Sequence, residues 1–457
     1  MHIGWASTDI TPERLVNLRG QHHARISTRV NDPLLATALA ISAGNQQMVM
    51  VSCDRVGIPD AILQRVREAL EGRAPGLDPR NVFLNATHTH TAPEIQDGIY
   101  PPLGPEVMTA EEYADLFVTR VADCIARAWE ARASGGVSWG FGHAVIGHNR
   151  RAAYFDGTSR MYGATNVPEF AHIEGYEDHS LDLLFTWDEQ RRLTGLVVNL
   201  ACPSQVTEGE YYVSADFWHE VRQDLAKRLG AEVFVLPQCS AAGDQSPHFL
   251  LYARAEEMMR QRRGLSEREE IARRIGLAVE DVLAYSRDEI HTDVPFRHET
   301  RLLNLPARKV TAAEYEVAQQ RFKEFSAQQP DPADLAAVSF RFVMLRRNEA
   351  VMRRYEKQGE QPVYPVEVHL ARLGDVAFAT NPFELFLDFG LRIKARCQAL
   401  QTFIIQLAGN GTYLPTARAL AATGYGAEAA DNRVGPEGGQ VLVEETVAGL
   451  NAMWEND

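Results

Sequence analysis

Short apolar runs recur along the chain at positions 48–51, 82–84, 196–200, 233–236, 376–379 and 403–407. Each has the length of a strand buried in a core. Between them the hydrophobic period changes from continuous to helical. Over 60–71, Ile62, Leu63, Val66 and Leu70 form one stripe, and Gly72 supplies a stop. Over 111–132, Leu116, Phe117, Val121, Ile125, Ala128 and Trp129 do the same. Ser214 stands where it can cap a helix whose Phe217, Val221 and Leu225 face inward. Strands interleaved with amphipathic helices predict an α/β, mixed α+β fold. We read residues 1–457 as one large domain of mixed sheets flanked by helices. The stretches 252–285 and 310–359 are charged, helix-prone and poor in strand patterns. With the strand-like 298–305 between them, they read as a helix-rich insertion at about 252–360. No internal repeat is present.

Composition narrows the function. The chain is 45% hydrophobic and 23% charged, which permits a sizeable core. With 46 basic against 61 acidic residues the formal charge is −15, which argues against a nucleic-acid surface. It equally disfavours bulk attraction to anionic membranes. Met1-His2-Ile3-Gly4-Trp5 lacks the basic patch and apolar run of a signal peptide. No apolar run approaches the ~20 residues of a membrane span. The expectation is a soluble cytoplasmic protein acting on a small molecule, with homo-oligomerisation open. The five cysteines (Cys53, Cys124, Cys202, Cys239, Cys397) are odd in number and widely spaced. That pattern suits neither a disulfide framework nor a cysteine zinc site.

The strongest chemical signal follows the run at 82–86, which leads directly into Thr87-His88-Thr89-His90 and ends at Thr91-Ala92-Pro93. On an extended backbone His88 and His90 point to one face. Two such imidazoles can share a metal, or one can ligate while the other handles protons. They can equally be plain hydrogen-bonded histidines at a strand edge.

The segment from Asn85 to Pro93 closely resembles the signature strand of neutral, non-lysosomal ceramidases. Further similar segments follow in family order: Thr8-Asp9-Ile10-Thr11-Pro12, Asn31-Asp32-Pro33-Leu34 through Asp54, Asn149-Arg150-Arg151, Gly243-Asp244-Gln245-Ser246-Pro247, and Leu414-Pro415-Thr416 behind Tyr413. The resemblance covers the family's catalytic domain and leaves no room for its C-terminal immunoglobulin-like domain. It implies a zinc-assisted hydrolase of an N-acyl amide, with Zn2+ held by two histidines, a glutamate and a tyrosine. Carried over residue by residue, His88, Glu384 and Tyr413 would be metal ligands. His90 would polarise the carbonyl or relay a proton, and Arg150 would hold an oxyanion or hydroxyl. Ser246 would be a nucleophile or substrate contact, with Asp244 beside it in the catalytic set. His22, His23 and Asn149 would touch substrate.

The sequence departs from the family at one position. Where the second histidine ligand should follow Ala201-Cys202, the chain has Pro203-Ser204-Gln205. Cys202, Gln205 or Glu208 could fill the gap; His219 lies on a different helical face from Phe217 and Val221. Other local readings stay open. Asn381, Pro382 and Glu384 match a capping box, so Glu384 could simply close its own helix. Tyr413 could be an interior tyrosine, and Ser246 a member of a turn. Ser246 lacks the Gly-x-Ser-x-Gly context of a nucleophile elbow. Gly435-Pro436-Glu437-Gly438-Gly439 reads as a turn before a helix from about 440. Two other functions compete with amide hydrolysis. One is a metal-independent hydrolase of a polar substrate such as a glycoside, using a carboxylate pair drawn from Asp54, Glu94, Asp97, Asp216 and Asp244. The other is a non-catalytic binding protein.

Overall fold

A computed structural model describes residues 1–455. Eight strands form the larger sheet. From edge to edge they are Phe234–Cys239, Leu193–Leu200, Ser180–Asp188, Ala133–His143, His2–Asp9, Leu35–Ala43, Gln46–Cys53 and Val82–Ala86. A second sheet orders Phe296–Pro306, Val363–Leu373, Val376–Thr380 and Gln401–Ile405. Both sheets are mixed, as expected. The pairs Gln46–Cys53 with Val82–Ala86, Leu193–Leu200 with Phe234–Cys239, and Val376–Thr380 with Gln401–Ile405 are parallel.

The strands read as apolar runs because they are covered on both faces. Leu39, Ile41, Met48, Met50 and Phe83 meet Leu373, Val376, Phe378, Phe403 and Ile405 between the sheets. The alternate residues Ala38, Ala40, Val49, Val51 and Leu84 turn the other way, onto the helices Asp60–Ala69 and Ala110–Glu130. The other half of this outer face packs on Phe217–Leu229 and Glu267–Ser286. The second sheet buries its outer face under Leu387–Arg396 and Pro436–Asn451. The result is four layers: helices, sheet, sheet, helices. Phe378 and Phe403 stack at 4.6 Å in the middle; truncating either to alanine would cost about 3–5 kcal/mol.

Between the helix-prone stretches, Phe296–Pro306 is a full sheet strand, paired along its length with Val363–Leu373. The helices around it go to different places. Glu267–Ser286 packs on Phe217–Leu229, whereas Ala312–Ala327 and Leu335–Lys357 pack on each other.

Two local expectations are corrected. Ser214 does not cap the next helix. Asp216 is its N-cap, and Ser214 Oγ instead donates to Asp32 Oδ2 at 2.7 Å. Arg268 also binds both Ser214 and Asp32, and Ser214 Oγ accepts from the backbone N of Asp216, which then caps the helix with its own carboxylate. The C-terminal helix begins at Pro436, not near 440. Gly438 and Gly439 lie inside it because an added Cβ would strike Val434 and Phe389.

The larger sheet positions the site through its edges. Its halves are joined by only two register pairs, His2 with Ser134 and Ile3 with Ala133. With strand twist of roughly 20–25° per step, the two outer strands come together, and Asn85 Nδ2 donates to Pro237 O across them at 3.3 Å. The second sheet joins them: Ala86 N bonds Leu407 O, and Gln406 N bonds Cys239 O. The chain leaving these strand ends carries His88, Gln205, Asp244, Glu384 and Tyr413. No helix is long and apolar enough to cross a membrane among the described residues.

Candidate active site

The strand Val82–Ala86 stops before the histidines. His88 has φ 69°, a left-handed conformation that is costly for a residue with a Cβ. The pair therefore does not converge by strand alternation. The left-handed turn and the bonds Thr87 N to Cys53 O and His88 N to Arg55 O aim His88 inward. The two rings lie 4.9 Å apart, nearly perpendicular, with their Nε2 atoms 3.3 Å apart.

Proton placement at this pair follows from the neighbours. His88 Nδ1 is 2.6 Å from the Val56 carbonyl, which can only accept. Nδ1 thus carries a proton, which leaves Nε2 as the nitrogen turned to Glu384. His90 Nε2 is 2.8 Å from Gln205 Nε2. The other end of that amide, Oε1, faces Arg150 Nη1 at 3.3 Å. Arginine is a pure donor, so the amide must turn its oxygen to Arg150 and its NH2 to His90. His90 Nε2 is then also an acceptor. Glu384 Oε2 lies 3.2 Å from His88 Nε2. His90 Nε2 takes its donor from Gln205, which leaves His88 Nε2 and Glu384 Oε2 facing each other with no donor group between them. Only a cation, a proton or a metal ion, satisfies that arrangement.

Glu384 reaches this point from a strand rather than a helix cap. Glu384–Leu385 pairs in parallel with Tyr413–Leu414, in the register Glu384 to Tyr413 and Leu385 to Leu414. The following helix starts at Leu387 with Phe386 as N-cap, which removes the capping-box reading. Burial favours the neutral acid, yet His88, Arg150 and the Tyr413 hydroxyl together hold Glu384 below the usual carboxylate range. The Tyr413 hydroxyl accepts from Arg150 Nη2 at 3.0 Å. Burial and the neighbouring Glu384 and Tyr425 push its ionisation well above the normal tyrosine value. Arg150 is buried and, among the described residues, has no carboxylate bound directly; its remaining bond goes to Gly243 O at 2.9 Å. Burial, then the charges of His88, Arg25, Arg150 and Arg19, push the His90 pKa well below normal, so its ring is neutral. His90 Nδ1 has no hydrogen-bond partner; Glu208 Oε2 stands 3.6 Å away. Gly20 (φ 117°) closes over this ring, and a Cβ there would fall 2.4 Å from His90 Cγ.

Of the other expected residues, His22 lines the cleft, edge-on to Tyr425 at 5.6 Å. His23 lies outside the cleft wall. Ser246 is buried, with Oγ 3.0 Å from Tyr162 Oη and accepting from His248 N at 3.1 Å. No histidine ring is bonded to it, so nothing activates it as a nucleophile in this arrangement. Asp244 accepts from Asn149 Nδ2 and from Leu387 N, both at 2.9 Å. These two residues brace the helix Leu387–Arg396 and do not face the cleft. Cys202 points to its own Pro203 carbonyl, and His219 bonds Gln223. Gln205 is therefore the residue that occupies the gap beside Pro203, with Glu208 next to it. Tyr162, Tyr425 and His248 border the site with no motif that announces them.

Of the five carboxylates named for an acid–base pair, Asp97 is exposed and the other four are engaged by neighbours. Asp54 is bound by Arg222, Glu94 by Arg19, Asp216 by Thr207, and Asp244 by Asn149.

The donor set fits a divalent cation. Two ligands at about 2.0–2.1 Å in a tetrahedral shell stand roughly 3.3 Å apart, close to the 3.2 Å between His88 Nε2 and Glu384 Oε2. The His88 bond to Val56 also fixes the tautomer that such a ligand needs. No group of three or more His, Cys, Asp or Glu able to hold a metal occurs among the described residues. A third donor would have to come from another residue type, and the Tyr413 hydroxyl, bonded to Arg150, stands beside Glu384. The centre opens into a cleft of about 620 Å³.

No protein-family model matches the sequence, and no curated protein matches it. Among solved structures the chain is similar to neutral ceramidase from Pseudomonas aeruginosa, with TM-score 0.72 at 17% identity over 99% of this chain and 74% of that one. It is also similar to a ceramidase complexed with C2, with TM-score 0.70 at 17% identity over 99% and 75%. The chain has the fold of these enzymes.

Proposed function

We propose that the protein is a hydrolase that cleaves an amide or related acyl bond at the His88–Glu384 centre. One observation carries this reading: His88 Nε2 and Glu384 Oε2 meet 3.2 Å apart beside His90, Tyr413 and Arg150 at the floor of a cleft. The fold of the neutral ceramidase structures supports it.

Zn2+, held by His88, Glu384 and Tyr413, would supply Lewis-acid polarisation of the scissile carbonyl and a more acidic bound water. The chain's own groups do the rest. Arg150, fixed by Gly243 and Gln205, keeps its charge toward the oxygen that becomes negative. His90 is neutral, with Nδ1 uncommitted near Glu208, so it can pass a proton between leaving group and solvent. Gln205 holds the His90 ring in that tautomer. Ser246 and Tyr162 form a polar wall behind Arg150.

The test is turnover of N-acyl amides and simple esters by purified protein, with and without zinc. Amine or alcohol release that is lost in His88→Ala supports the reading. No release from any of them would sink it.

A further inference from the structure

The outer wall of the cleft is built mainly by the helix Leu335–Lys357. Val343, Arg346, Arg347, Ala350, Arg353 and Arg354 face the cleft from it. Their spacing is that of one helical face. An Arg-Arg pair thus recurs after seven residues, two turns apart. Arg19 and Arg433 complete the ring from other segments. Six arginines line the cleft against three carboxylates, Glu349, Glu384 and Asp431, so six minus three leaves a formal excess of three positive charges. The whole chain has a formal charge of −15.

Partners account for only some of these cations. Arg347 pairs with Asp431, and Arg19 with Glu94. Arg354 is half-buried and, among the described residues, donates to the carbonyls of Ala429 and Arg308. Arg346, Arg353 and Arg433 are exposed at the mouth and bind no carboxylate among the described residues. Arg346 reaches over the opposite loop, where a Cβ on Gly98 would lie 3.2 Å from its Nη1. The local field is visible in its neighbours. Burial, then Arg433 and Arg308, lower Arg354 to about 10. Burial, then Arg347 and Arg19, hold His22 at about 4.

A half-buried guanidinium bonded to carbonyls, with its nearest carboxylate Glu314 taken by Arg308, is costly unless something else supplies the charge. A cleft lined by one sign of charge also concentrates ligands of the other. We propose that the substrate is an anionic amide, whose carboxylate or phosphate sits on Arg354, Arg346 and Arg433 while its acyl bond reaches the His88–Glu384 centre. This rests on the amide-hydrolase reading and adds the substrate class.

Three probes of similar size test it: N-acetylglycine, its neutral carboxamide, and N-acetyl-O-phosphoethanolamine. Binding is measured by calorimetry and hydrolysis by amine release. The expected result is a kcat/KM for an anionic probe about 10- to 1,000-fold above the neutral one, falling with added salt. The better anion identifies the group. In Arg346→Gln/Arg433→Gln, both exposed positions, that ratio falls about tenfold or more; Arg354→Gln lowers it further if the variant remains folded by circular dichroism. Equal turnover of neutral and anionic probes, or a ratio unmoved in the exposed double variant, overturns the anion site and leaves the hydrolase reading intact. Salt-sensitive binding of an anion, weakened in the double variant but with no hydrolysis of any probe, keeps the anion site and overturns the hydrolase reading.

Discussion

Glu384 and Tyr413 are register partners in a parallel pairing only two residues long. That short pairing, and not a helix cap, brings a carboxylate and a phenol to one side of His88. The hydroxyl of Tyr413 also receives Arg150 Nη2. Tyr413→Phe removes an acceptor from a buried guanidinium, so it should cost about 1–3 kcal/mol of stability. Amide turnover should fall more steeply than that loss of stability explains. Chemical denaturation read beside kcat/KM checks both.

His88 stores backbone strain at its positive φ. Asparagine and glycine adopt that conformation more readily. His88→Asn or His88→Gly should therefore leave thermal stability in the absence of metal unchanged or raised, while turnover disappears. A scanning calorimetry trace that shows gross destabilisation would contradict this trade-off.

Gly20→Ala should act through His90. The new methyl group would meet the imidazole carbons, and φ 117° suits no side chain. A loss of roughly 1–3 kcal/mol is expected from overpacking alone. The loop displacement should also lower kcat/KM. Wild-type stability and activity in this variant would show that the loop yields freely.

Acid stability should be governed partly by a histidine far from the cleft. His298, part-buried against His369 with Nε2 to Nδ1 at 3.0 Å, is held neutral. Burial, and then His369, lower its pKa from 6.5 to about 3. Below pH 6.5 the unfolded chain binds this proton and the folded chain does not. Stability is therefore complete above that pH and lost as pH falls toward 3. The slope from one such group reaches about 1.4 kcal/mol per pH unit. Urea midpoints between pH 6.5 and 5 should show a smaller slope in His298→Gln than in the wild type, since the other groups that titrate there, such as Glu220 at about 6, are common to both.

The layers were legible because alternation survives in residues such as Leu39, Ala40 and Ile41, whose neighbours point to opposite faces. The convergence of His88 with Glu384 was legible only through resemblance, and its cause was not. A left-handed turn at His88 has no hydrophobic pattern. The sequence around Glu384 satisfies a capping rule, but Tyr413, distant in the chain, claims that backbone first. Asp244 and Asn149 look catalytic by motif, yet their polar atoms satisfy each other and the helix that follows. Gln205 gained its role from Arg150, which orients the amide. The arginine pairs at 346–347 and 353–354 had a readable spacing, but which face they share depends on where the helix docks.

The central claim is that His88 and Glu384 form the hydrolytic centre, and the most direct measurement is amine release from an N-acyl amide by zinc-equilibrated wild type and Glu384→Gln. The expected result is turnover by the wild type and a loss of at least about 100-fold in the variant, the order seen when a group that stabilises charge at the reacting centre is removed. No amine release by the wild type, or undiminished release by Glu384→Gln, would contradict it.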